Sequence, residues 1–93
     1  MAEAAAAALL FKLCQWAKEH FNSSLEEINL KDRIVDLHER YEQMDGRTRD
    51  ARKLKEILGA LETKMRALKR KSRPTDEENE EIANLIEMAG HCV

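Results

Sequence analysis

Proline, glycine and aromatic residues are scarce in this chain. Among its 93 residues are one Pro, three Gly, two Phe, one Trp and one Tyr. A β architecture needs frequent turn residues and β-branched runs, and neither is present here. The composition therefore excludes a β-rich fold and predicts an all-α protein. At this length the chain forms one domain at most, with a small core.

Cysteine and histidine are also few, and their spacing does not suggest a metal site. Cys14 and Cys92 lie near opposite ends of the chain, which predicts neither a disulfide framework nor a zinc site. His20, His38 and His91 are interpreted as surface or seam residues. We expect no metal and no cofactor, and the cysteine usage favours a reducing, intracellular location in the cytoplasm or nucleus.

Long apolar runs are missing as well. No stretch approaches the roughly 20 apolar residues of a membrane span, so no membrane partner is expected. The N-terminal run MAEAAAAALLFKLC is similar to a short signal sequence, but Glu3 stands where positive charge is needed and Lys12 interrupts the run. We do not expect secretion.

No pattern typical of an enzyme is found. Adjacent carboxylates such as Glu26 and Glu27, or Glu80 and Glu81, diverge by about 100° on a helix and cannot converge on one substrate. The chain has no glycine-rich phosphate loop and no nucleophile with a plausible base. The sequence thus predicts a non-enzymatic protein, with no catalytic or cofactor-binding residues and no small-molecule substrate.

Helical periodicity is the most informative feature that is present. Apolar residues alternate at steps of three and four, which is typical of coiled-coil seams. The two series fall out of phase near Asp45-Gly46, where either a turn or a bend within one long helix explains the break. The predicted partner-helix seam comprises Leu30, Ile34, Leu37, Tyr41 and Met44, followed by Leu54, Leu58, Leu61, Met65 and Leu68.

Capping signals divide the chain into helices of about 3–21, 24–44, 48–71 and 75–89. Ser23 with Glu26, or Ser24 with Glu27, matches a capping box, as does Thr75 with Glu78. Gly90 is the expected helix stop. Residues 1–93 are accordingly predicted to form a single helical assembly domain, either a helical hairpin or a three- to four-helix antiparallel coiled-coil bundle.

Charge is strongly segregated along the chain. Residues 47–73 carry 11 basic and 3 acidic side chains, whereas residues 74–93 carry 6 acidic and no basic ones, although the net charge of the chain is only −2. Two helices that reverse at Pro74 would neutralise each other, which is one interpretation. The other is a basic docking patch for an acidic partner, formed by Arg47, Arg49, Arg52, Lys53, Lys55, Lys69, Arg70 and Lys71.

One resemblance to a known family covers residues 10–31. Leu10-x-x-Leu13-Cys14, Glu19, Phe21 and Ile28-x-Leu30-Lys31 stand in the same relative order as in the N-terminal helical region of a spindle-and-kinetochore-associated (Ska) complex subunit, which this run resembles. The large microtubule-binding domain of such a subunit has no counterpart in these 93 residues. The resemblance implies helices that intertwine with two other chains in a kinetochore assembly that holds microtubules.

Together these features predict a coiled-coil subunit that assembles with partner helices, as a homo- or hetero-oligomer, in a multiprotein complex. Through the resemblance, the expected context is the kinetochore or spindle. The alternative is direct binding of an acidic polymer, either a microtubule surface or nucleic acid, by residues 47–73. Since the apolar set is small, we expect the isolated chain to self-associate or to melt with weak cooperativity.

Overall fold

Four helices make up the fold in a computed structural model that describes residues 2–44, 48–71 and 74–93, with side chains from residue 4 onward. They are α1 (Ala2–His20), α2 (Leu25–Gln43), α3 (Ala51–Arg70) and α4 (Asp76–His91). The described residues contain no strand, and the all-α prediction is confirmed.

Side-chain caps begin α2 and α4 close to the predicted positions. The Thr75 hydroxyl accepts the N–H of Glu78, and the Glu78 carboxylate accepts the N–H of Thr75, so the predicted capping box is confirmed. At α2, the Ser24 hydroxyl accepts the N–H of Glu27 at 3.2 Å. The Glu27 carboxylate instead reaches the N–H of Ser23 at 3.0 Å, which satisfies a donor one residue outside the usual box.

Two predicted helix ends are wrong. The third helix begins at Ala51 rather than near residue 48, because the Asp50 carboxylate accepts the N–H of Lys53 at 3.0 Å and caps the helix there. The fourth helix does not stop at Gly90. It continues to His91 and is followed by Cys92 as its C-cap, in ordinary right-handed geometry.

The helices form a rod of 37 × 19 × 18 Å in which α1 and α4 each pack against both α2 and α3. Among the described residues, the backbones of α2 and α3 do not approach each other, and neither do those of α1 and α4. These pairs therefore lie on the diagonals. The interpretation of residues 24–71 as one bent helix is wrong, because α2 ends at Gln43 and α3 begins at Ala51. Asp45-Gly46 itself lies outside the described residues.

Contacts between side chains fix the helix directions. An ion pair between Lys69 and Glu27 joins the C-terminal end of α3 to the start of α2. A hydrogen bond of 3.4 Å from Arg40 to the carbonyl of Gly90 joins the C-terminal ends of α2 and α4. Since short connections make α1 antiparallel to α2 and α3 antiparallel to α4, the bundle consists of two parallel pairs, α1 with α3 and α2 with α4.

The predicted seams line the interior of this bundle. Nine of the ten seam residues are buried, and the core is completed by Leu10, Leu13, Cys14 and Ala17 of α1 and by Phe21, which follows it. Met44 is the exception: it is the C-cap of α2 and 42% exposed. Ile57, which the sequence analysis missed, is buried. The chain's own helices thus pack against both seams, and a partner helix in this fold has to use the outer faces.

Candidate functional site

Charge separates the two helix pairs. We call α1 and α3 with residues 48–50 and 71 the basic half, and the rest of the described chain the acidic half. The basic half carries 11 basic and 4 acidic side chains at residues 4–20 and 48–71, a net charge of +7. The acidic half carries 3 basic and 12 acidic ones at residues 21–44 and 74–93, a net charge of −9. The sign change at Pro74 is therefore the point where the chain passes from one half to the other.

Ion pairs connect the two halves. Lys71 Nζ lies 2.6 Å from Glu78, and Lys64 Nζ lies 2.7 Å from Glu81, so α3 neutralises part of α4 as one interpretation of the sequence predicts. Lys69, near the end of α3, pairs with Glu27 of α2 at 3.4 Å. The Lys71 hydrogen bond, with that from the Thr75 N–H, lowers the pKa of the Glu78 carboxyl.

The cationic side chains near the start of α3 make no ion pairs within the part of the chain that the structure describes. Four exposed side chains there form no ion pair with any described residue, and we call them the N-terminal basic cluster. Arg70, at the other end of α3, is also exposed and unpaired among the described residues. Arg47, which belongs to the predicted patch, lies outside them. The N-terminal basic cluster consists of Arg49, Arg52, Lys53 and Lys55.

Between these cations, the outer face of α3 carries a series of small side chains, with the exposed Glu56 and Arg66 beside them. Gly59, Ala60, Thr63 and Ala67 follow one another along the helix, and we call them the small strip. A Cβ atom added at Gly59 would meet nothing within 4 Å, so packing within the chain does not require a glycine there. The Thr63 hydroxyl donates to the carbonyl of Gly59 at 3.2 Å and lies flat on the helix. Another helix can therefore approach α3 closely.

A groove runs along the acidic half between α2 and α4. It contains two neighbouring depressions of about 230 and 290 Å³, and Arg33 borders both. Leu30 and Ala83 line the first depression, while Leu37 and Ile86 line the second. Carboxylates stand along its rim, and we call this surface the α2/α4 groove. Its rim carboxylates are Glu26, Asp36, Glu80 and Glu87.

Other kinds of site find no support in the described ranges. No group of three or more His, Cys, Asp or Glu side chains there is placed to hold a metal ion. None of the four described helices is long and apolar enough to cross a membrane. Burial raises the pKa of the Cys14 thiol, although Lys18 opposes the shift, and a buried protonated thiol is a poor nucleophile.

The structure places the predicted site residues in two different environments. The seam residues other than Met44 face the core, whereas the described members of the basic patch lie on or beside α3 at the surface. Sequence reasoning missed the small strip, although its helical spacing was available as a signal. It also missed the α2/α4 groove, which depends on two helices that are distant in the sequence.

Known proteins give no further guide to the role of these surfaces. Comparison with family models, with curated proteins and with solved structures finds no match for this chain. Its function has to be inferred from its own residues.

Proposed function

We propose that this chain is a non-enzymatic helical subunit that docks onto an acidic helix of a partner protein through the outer face of α3. The observation that carries the proposal is the N-terminal basic cluster. Its four cations are exposed and pair with no described residue, while Lys64, Lys69 and Lys71 are already engaged in ion pairs. Unpaired charges of one sign raise the association rate and select partners of the opposite sign.

The small strip supports a helix as the partner. Helices pack at interaxial distances of about 8–10 Å, and small side chains at the contact permit the closer end of that range. Gly59, Thr63 and Ala67 lie one helical turn apart, with Arg52 before them and Arg70 after them. A partner helix lying along the strip could therefore place acidic side chains against cations at both ends. The proposal therefore keeps the predicted assembly with partner helices. The contact surface is the outer face of α3 rather than the seams.

Binding of an acidic polymer is the second candidate. The concentration of four free cations at one end of α3 favours it, because each neutralised phosphate or carboxylate releases a counterion. Single-stranded nucleic acid needs aromatic stacking platforms as well. Among the described residues, the large exposed apolar side chains are Phe11, Leu25, Met44 and Met88, and none lies on α3. A protein partner, including a microtubule surface, is thus favoured over nucleic acid.

The resemblance of residues 10–31 to a Ska subunit supports a role at the kinetochore or spindle, with a location in the cytoplasm or nucleus. Five of the eight residues that carry the resemblance are buried in this bundle, and they therefore serve its core directly. These five residues are Leu10, Leu13, Cys14, Phe21 and Leu30.

Fluorescence anisotropy with a labelled acidic helical peptide tests the proposal. We expect the double variant R52Q/K55Q to weaken binding several-fold, since each exposed pair contributes about 0.2–1 kcal/mol. The matched control K64Q/K71Q removes the same charge from cations that already have partners, and binding should change less. If both variants lost the same amount of binding affinity, the effect would be one of net charge alone. That result would contradict a defined docking face.

A poly-glutamate ligand separates the two candidates. If the target is an acidic polymer, affinity should increase with ligand length and fall steeply between about 50 and 200 mM salt, by roughly tenfold for every two ionic contacts with the polymer. Docking on one helix instead saturates at a single peptide of defined length and depends less on salt, because the small strip adds van der Waals packing that salt does not screen.

A further inference from the structure

We infer that a second copy of this chain is a partner for α3, with the outer face of α3 on one molecule lying in the α2/α4 groove of the next. This inference rests on the proposed function for the α3 face and identifies its partner. Two independent surfaces of the molecule carry it, and they match in charge and in shape.

Charge is the first match. Over the residues whose side chains are described, the basic half has a net charge of +7 and the acidic half one of −9. The cations at the ends of the small strip include Arg52 and Lys55 on one side and Arg70 on the other. In the groove, Glu26 and Glu80 border one depression, and Asp36 and Glu87 border the other. Carboxylates therefore occur in both parts of the groove, and Arg40 also borders the second depression.

The middle of each surface matches in the same way. Arg33 borders both depressions and is the cation at the centre of the groove. The middle of the α3 face carries the uncharged Gly59, Ala60 and Thr63 with the acidic Glu56, and the nearby Arg66 is already paired with Glu62. An opposed Arg33 thus meets small side chains and one carboxylate, which avoids a repulsive contact between like charges.

The shapes of the two surfaces agree as well. The groove has apolar side chains between its charged rims, which is the usual form of a surface that receives a helix. Its two depressions extend from Glu26 and Asn79, near the starts of α2 and α4, to Arg40 and Gly90, near their ends. Residues 26–40 of α2, which line the groove, span about 21 Å, so the roughly 30 Å of α3 extends beyond it. Small side chains on α3 allow its backbone to approach the groove.

The contact uses two different surfaces, which decides the type of assembly. Each molecule that donates its α3 face keeps its own α2/α4 groove free for another copy. Such heterologous contacts propagate into open chains or close into rings, whereas a two-fold dimer would bury the same surface on both copies. We therefore expect concentration-dependent, salt-sensitive, head-to-tail association.

Sedimentation velocity of the purified chain tests the inference. At low salt, we expect the mean mass to increase with protein concentration above the 10.7 kDa of one chain, and to return to that value at roughly 0.5 M salt, where charges are screened within a few ångströms. Variant A neutralises the α3 face (R52Q/K55Q/R70Q), and variant B neutralises the groove rim (E26Q/E80Q/E87Q). Each alone should be monomeric at concentrations where the wild type associates.

Mixing the variants is the decisive step. Variant A retains an intact groove and variant B an intact α3 face, so an equimolar mixture should form a 1:1 dimer that does not grow. The control D32N/E39Q/E42Q removes three negative charges from other positions of α2 and should associate like the wild type. Its behaviour separates a defined contact from a general effect of net charge.

Three results would overturn the inference. They are a wild type that stays monomeric at low salt, a mixture of A and B that stays monomeric, and a variant A or B that still associates by itself. A monomeric wild type that nevertheless binds the acidic helical peptide through Arg52 and Lys55 would overturn self-association and leave the proposed docking face intact. If the chain neither self-associates nor binds the peptide, both proposals fail.

Discussion

The basic and acidic halves of the molecule share one design on the inside and differ on the outside. In each half, two parallel helices bury an apolar stripe, as Leu54 to Leu68 do in α3 and Ile82, Ile86 and Ala89 do in α4. Their outer faces carry opposite charge, and the ion pairs of Lys64, Lys69 and Lys71 cross from one half to the other. These pairs use only part of the basic charge. The comparison teaches that the core holds the bundle together, while the excess charge remains exposed at the surface.

The largest expected effect comes from placing a charge inside the bundle. Leu61 is fully buried, and L61D should destabilise the fold by several kcal/mol because the carboxylate has no buried partner. That destabilisation is comparable to the whole stability of a small domain, about 5–15 kcal/mol. Urea unfolding followed by circular dichroism measures it.

The matched control is T63D, two residues away on the outer face of α3, where Thr63 is exposed. We expect it to change the free energy of unfolding by no more than about 0.5 kcal/mol. If L61D were folded and as stable as T63D, the seam of α3 would not be an internal surface, and the division between inner and outer faces would be wrong.

The inner and outer faces of α3 show what can be predicted from the sequence alone. The spacing of Leu54, Leu58, Leu61, Met65 and Leu68 predicts a buried stripe, since period and residue type are sufficient for that. It does not show what covers the stripe, because another chain and another helix of the same chain bury it equally well. Met44 continued the heptad of α2 but lies at the C-cap, where the helix ends and its periodicity no longer decides burial.

The candidate site was only partly predictable for a related reason. Segregation of charge between residues 47–73 and 74–93 is visible in the sequence, and so is the cap at Thr75. Which cations remain unpaired depends on the helix arrangement: Lys69 reaches Glu27, 42 residues away, while Arg52 reaches no described carboxylate. The diagonal placement of α2 and α3 depends on three-dimensional packing that helical period does not encode.

A smaller effect is expected at the start of the acidic half's last helix. T75A removes the hydroxyl that caps α4 and should cost about 1 kcal/mol, whereas T75S keeps the hydroxyl and should cost much less. Hydrogen exchange in the first turn of α4 should accelerate in T75A. Unchanged exchange in that turn would mean that contacts with α3, rather than the capping box, fix where α4 begins.

Charge reversal across the halves should have a smaller effect still. Lys64 and Glu81 are both about half exposed, so K64E or E81K alone should lose about 0.2–1 kcal/mol of stability. The double variant K64E/E81K restores opposite signs and should recover most of that loss. A double-mutant cycle measures the coupling, and a coupling energy of zero would show that this pair does not stabilise the two halves against each other.

The smallest expected effect is a local dependence on pH. Because Lys71 and Thr75 lower the pKa of Glu78 in the folded state, its stabilising contribution is complete above the pKa of the unfolded carboxyl. The contribution is lost as the pH falls through the lowered folded-state pKa. NMR titration of the Glu78 side chain should show this low pKa, and K71Q should raise it. A Glu78 pKa that K71Q leaves unchanged would contradict the ion pair.

The central claim is that helices of the same chain bury the seam residues. Its most direct test is thermal unfolding in roughly 0.5 M salt, followed by circular dichroism over a wide range of protein concentration. High salt screens the outer charges and suppresses docking between molecules. The account predicts one cooperative transition whose midpoint does not depend on concentration, since a monomeric bundle unfolds by itself. A midpoint that rises with concentration, or a weakly cooperative loss of helix on dilution, would show that the seams need another chain and would contradict the account.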